Sequence, residues 1–256
     1  LIFTLELGIS GASIASSLAE MDSLIVLCIY TGAKIDKEKY GLKPVYDGRL
    51  LFKVLNLSVW SMLHAFISVA PWFLFFVAIE HLGKTELAIS NITRSVSAIF
   101  FVIANSFAVT TGSLVSNAIG AGARKELFPI CHKVLKLGYA VGFPLVVVAL
   151  LCNRWIVSFY TDNELLVELA FAPFVVMLLN YTFALPGYVY LNAVGGTGKT
   201  KITFLFQVTT TCVYLVYLYW LSFCIEASLS LYLTAEYLFV ILLALQSIIY
   251  LKSKHY

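Results

Sequence analysis

The chain has 256 residues, 61% hydrophobic, 15% aromatic and only 12% charged, with a net charge of +3 and a mean hydropathy of +0.91. An ordinary soluble domain carries roughly twice that proportion of charge. A disordered chain, a coiled coil and a typical cytosolic enzyme are excluded, and a polytopic membrane protein fits, because lipid rather than water then meets most of the surface.

A bilayer core of about 30 Å takes roughly 20 helical residues. Spans are therefore sought as runs free of Asp, Glu, Lys and Arg. The first, about 11–30, is the weakest, because it contains Glu20 and Asp22. Clean runs follow at 54–79, 95–123, 137–153, 169–198 and 202–225, and the run 227–251 is interrupted only by Glu236. No segment alternates apolar and polar residues at period two, as the strands of a membrane barrel would. The expected fold is all-α, a polytopic membrane bundle of about seven transmembrane helices. The chain begins at Leu1, beside a membrane segment and without a charged leader, and is read as a piece of something longer.

Of the 17 Lys and Arg residues, all but Lys84, Arg94 and Arg154 fall in alternate loops or just after the last span. The intervening side carries Glu80, Glu86, Asp162, Glu164 and Glu168. The basic side is expected to be cytoplasmic, which places the C-terminus there too. The protein is expected in the cell (inner) membrane, in contact with lipid. The net charge thus reflects topology, and a nucleic-acid partner has no support. The cysteines, Cys28, Cys131, Cys152, Cys212 and Cys224, are odd in number and lack a C-x-x-C. They read as small core residues rather than as a disulfide framework or zinc site.

The stretch 195–200, GGTGKT, nearly reads as a phosphate-binding loop. That loop must follow a buried strand and open a soluble helix. Here it joins two membrane spans and reads as a short turn with basic residues. No H-E-x-x-H, G-x-S-x-G or clustered His/Cys/Asp set occurs, so neither an enzyme nor a cofactor or metal site is expected.

Intramembrane ionisable residues are more informative. Each costs about 2.5–3.5 kcal/mol at the bilayer centre, so each should face a cavity or a partner. Glu20, with Asp22 nearby, and Glu236 read either as proton or cation sites or as hydrogen-bonded carboxyls that lock helix packing. Arg94, near the end of its span, is expected to snorkel to the interface. Polar stripes recur at helical spacing: Ser61, His64, Ser68 and Pro71; Asn91, Ser95, Ala98, Asn105, Gly112 and Ser116; Thr203, Gln207, Thr210, Tyr214 and Tyr217. Such faces turn inward in a membrane bundle, as interhelical glue or as the wall of a hydrated cavity. Pro71, Pro144, Pro173 and Pro186 lie within the spans and should kink them. Gly138 and Gly142 form a GxxxG that suggests close helix contact.

Several phrases resemble one family in the right order. Residues 8–20, GISGASIASSLAE, resemble the entry to the sixth helix of multidrug and toxic compound extrusion (MATE) transporters. Residues 79–83, IEHLG, and 86–92, ELAISNI, resemble that family's link between helices seven and eight, and 114–122, LVSNAIGAG, its helix-eight ending. Residues 195–201, GGTGKTK, match its turn between helices ten and eleven. The resemblance implies helix six through helix twelve of a twelve-helix antiporter. Residues 1–32 would then be the last helix of the first lobe, 33–53 the cytoplasmic connector, and 54–256 the second six-helix lobe. The missing N-terminal lobe becomes an expected partner.

The implied function is secondary antiport, exporting cationic or amphipathic small molecules as sodium or protons enter. The alternatives are a related lipid-linked saccharide flippase and a non-transporting structural subunit. The near absence of Lys and Arg from the spans disfavours an anionic pyrophosphate cargo. The chain departs from the family pattern where some members carry acids. Counting back from Gly83 places Ser68 at a glutamate position of helix seven, and Asn180 stands in the neighbourhood of a helix-ten aspartate. Ser16 matches a hydroxyl that lines the first-lobe cation site in some members. The coupling-ion or cavity candidates are thus Glu20, Ser16, Asp22, His64, Ser68, Asn105, Asn180 and Glu236, with the ion undetermined between sodium and proton.

Overall fold

A computed structural model describes residues 8–34, 46–225 and 227–253. Their regular structure is helical: α1 (Gly8–Lys34), α2 (Gly48–Ile79), α3 (Lys84–Gly120), α4 (Leu127–Leu151), α5 (Asn153–Ser158), α6 (Glu164–Leu169), α7 (Phe171–Leu179), α8 (Tyr181–Gly196), α9 (Thr200–Phe223) and α10 (Leu229–Ser253). Among the described residues, 7 stretches are long and apolar enough to cross a membrane. Their surface is rich in exposed Leu, Ile, Val and Phe. In water such a surface would drive association; in lipid it is the solvated state.

Two compact units divide the chain, Leu1–Phe52 and Lys53–Tyr256. In the first, α1 is exposed along nearly its whole described length. In the second, α8 is the central helix, in contact with α3, α10, α4 and α9. Lipid supplies no hydrophobic drive between helices, so close packing depends on small residues. Gly196 abuts the backbone of Gly112 on α3, and a Cβ at Gly187 would lie 2.7 Å from the carbonyl oxygen of Val240 on α10. Gly138 and Gly142 turn the GxxxG of α4 onto Leu185 and Tyr181 of α8, which gives that motif its close contact.

The charge-free runs understate two helices. The third span begins at Lys84 and the fourth at Arg124. Lys133 and Lys136 ride in the first turns of α4, where long side chains reach the interface from helical backbone. The fifth span, Glu164–Gly196, breaks at Ala170 and Asn180 into α6, α7 and α8, although no charge interrupts the run 169–198. Pro173 has no amide for the carbonyl of Leu169, which accounts for the first break. By contrast, α2, α4 and α8 continue through Pro71, Pro144 and Pro186. The GGTGKT stretch is the last turn of α8 and a short link to α9. Gly198, at φ +78°, supplies the left-handed residue that ends the helix. No strand precedes it, so the phosphate-loop geometry is absent there.

Candidate functional site

The second unit contains a cavity of about 370 Å³ walled by α2, α3, α8, α10 and the α7–α8 break. Its lining is mainly aromatic and aliphatic, including Trp72, Phe101, Tyr188 and Phe239, with Ser68 and Asn180 among the polar groups. Two charged residues face each other in its wall. Arg94 Nη2 donates to Glu236 Oε1 at 2.5 Å. The Tyr214 hydroxyl lies 3.3 Å from the same oxygen and 3.4 Å from the carbonyl oxygen of Pro71. The Arg94 guanidinium also lies over Phe75, 4.1 Å from the ring centroid, and 5.3 Å from that of Phe76.

This corrects the expectation that Arg94 snorkels to the interface. Its residue exposure is only 8%. Helix α3 starts eleven positions before the charge-free run does, so Arg94 lies inside the span rather than at its end. A carboxylate and two aromatic faces then offset its desolvation. Glu236 finds its partner here, as an intramembrane carboxyl requires.

A second, more polar cavity of about 670 Å³ lies where α2, α3, α8 and the start of α9 meet. Ser61, His64, Ser116, Asn117, Asn192 and Thr203 are among its lining residues. His64 Nε2 is buried without a hydrogen-bond partner. At its edge, the Thr200 hydroxyl donates to the Leu57 carbonyl, and Lys201 sits over the Trp60 ring.

The fold thus separates the sequence candidates. Ser68, Asn180 and Glu236 line the first cavity and His64 the second. Asn105 is exposed on α3 and lines neither. Glu20, Ser16 and Asp22 are exposed on α1, in the other unit. The stripe of α9 turns inward, with Thr203, Gln207, Thr210 and Tyr214 buried. The stripe of α3 lies largely opposite its packed face, with Ala98 reaching the first cavity and Gly112 and Ser116 the second. Sequence reasoning missed Phe75, Phe76 and Tyr188. In a chain that is 15% aromatic, a ring near a future charge leaves no local signal.

A bundle of apolar spans around a buried ion pair and an aromatic cavity defines an integral membrane protein. The chain matches the MatE family over residues 61–221 and belongs to it. It is 31% identical over 100 residues, 39% of this chain and 19% of the relative, to "Uncharacterized transporter C4B3.13" of Schizosaccharomyces pombe (strain 972 / ATCC 24843). Its fold resembles the solved structure "Crystal structure of MATE in complex with MaL6", with a TM-score of 0.82 and 17% identity over 99% of this chain and 58% of that one. It also resembles "Outward-facing conformation of a multidrug resistance MATE family transporter of the MOP superfamily", at 0.70 and 18% over 79% and 45%. The chain therefore spans less than two thirds of the length of each of these relatives.

Proposed function

We propose that the chain is the helix-six-to-twelve part of a secondary antiporter that exports cationic or amphipathic small molecules as sodium or protons enter. The observation that carries this reading is the cavity of about 370 Å³, whose aromatic walls enclose one buried ion pair inside a membrane bundle of this family. Aromatic faces bind an amphipathic body, and a carboxylate or guanidinium fixes its polar end. Two lobes rocking around a midplane site would expose such a cavity to either side. Residues 54–256 form the second lobe in this reading, 33–53 the cytoplasmic connector and 1–32 the last helix of the first lobe. The protein sits in the cell membrane with its C-terminus in the cytoplasm.

The test is transport by the full-length protein in proteoliposomes. Outward movement of an amphipathic dye should follow an imposed sodium or proton gradient and stop when the gradient is collapsed. Dye movement indifferent to both gradients would overturn the antiport reading.

A further inference from the structure

The cavity already holds one positive and one negative charge, and they meet through a single contact. Arg94 Nη2 and the Tyr214 hydroxyl both approach Oε1 of Glu236, and no described residue donates to Oε2. On the cationic side, Arg94 Nε is buried without a partner. In the same cavity wall, Asn180 is 8% exposed and its Oδ1 is a buried acceptor without a partner. Among the described residues of this wall, Arg94 Nε is thus a buried donor and Asn180 Oδ1 a buried acceptor without a partner, and Glu236 Oε2 is a further acceptor without a donor. The site also holds an ion pair that uses only part of the bonding capacity of each member.

Charge arithmetic then constrains the occupant. A simple cation would leave the low-dielectric site with one uncompensated positive charge, and a simple anion would leave one negative charge. A ligand carrying both charges keeps it neutral. As the Arg94–Glu236 contact opens, each buried ion exchanges its old partner for an equivalent new one. We infer that this cavity takes an amphipathic zwitterion. Its ammonium group meets Glu236 and Asn180 Oδ1, its carboxylate meets Arg94, and its apolar body lies against Trp72, Phe101 and Tyr188. Without ligand, Arg94 and Glu236 serve as each other's substitutes for those two groups. The inference rests on reading this cavity as the cargo site.

Three probes with one aromatic body separate the charge types: naphthylalanine, naphthylethylamine and naphthylpropionate. Their affinities for the purified full-length protein are compared by equilibrium dialysis. Naphthylalanine should bind about tenfold more tightly than either singly charged probe. In Arg94→Gln the preference should cross to naphthylethylamine, and in Glu236→Gln to naphthylpropionate. A pair that merely holds α3 to α10 would leave the order of the probes unchanged in both variants. Tightest binding of naphthylethylamine by the unmodified protein, or no binding of any probe, overturns the inference without recourse to variants.

The readout is independent of transport. Zwitterion preference without gradient-driven movement would sink the antiport reading and leave this one standing. Gradient-driven export together with a preference for the simple cation would do the reverse.

Discussion

The Tyr139 hydroxyl on α4 donates to the Thr182 carbonyl on α8 at 2.7 Å. That carbonyl is the one left without its helical amide by Pro186, four residues on. The tyrosine therefore lets α8 carry a proline through a membrane span without orphaning an acceptor. Tyr139→Phe should lower the melting temperature of the detergent-solubilised protein, by about 1–3 kcal/mol in stability. Adding Pro186→Ala restores an amide at 186 and should recover part of the loss. Equal losses in the single and double variants would show that Tyr139 acts elsewhere.

Gly142 faces the Tyr181 ring so closely that an added Cβ would overlap it. The Tyr181 hydroxyl is itself fixed by donation to the Gly138 carbonyl at 2.8 Å. Because the ring cannot swing away without losing that bond, Gly142→Ala should destabilise the protein by about 1–3 kcal/mol. Gly120→Ala, where nothing lies within 4 Å, is the matched control and should be near neutral. Thermal melts of the two variants side by side make the comparison.

The Arg94–Glu236 pair gives a stability cycle. Glu236→Gln leaves the guanidinium buried without its counter-ion, and Arg94→Met leaves a lone carboxylate. Each should cost roughly 3–5 kcal/mol. The double variant removes both charges and should be more stable than either single one. Additive losses in unfolding measurements would mean that the two residues are not energetically coupled.

The proposed orientation predicts opposite labelling at two exposed sites. In a cysteine-free background, Asp162→Cys should react with a membrane-impermeant thiol reagent in intact cells. Lys252→Cys should react only after permeabilisation. The reverse pattern would invert the topology.

Glu20 is exposed midway along α1, one turn after Ser16. If it handles the coupling ion, Glu20→Gln in the full-length protein should express normally yet lose export, or lose its pH dependence, because the amide keeps the shape and removes the titrating proton. Export like that of the unmodified protein at every pH tested would assign Glu20 to packing alone.

Composition and charge-free runs by themselves determined a membrane bundle and its seven spans, and the resemblance of short phrases such as 114–122 and 195–201 pointed to its family. Spanning lipid demands long apolar helices, which write themselves plainly along a sequence. The connection at 195–200 was equally legible, since its flanking spans leave room only for a turn. Helix ends were less so: lysines at 133 and 136 stop a charge-based search, yet their flexible stems let them continue α4. The break at Asn180 had no reading either, because hydropathy is blind to a lost backbone bond. Only the tertiary structure decided the partnership of Arg94 and Glu236, which lie 142 positions apart. Charge pairing depends on which faces of α3 and α10 meet, and that is set by glycine contacts through α8 rather than by any pattern near either residue.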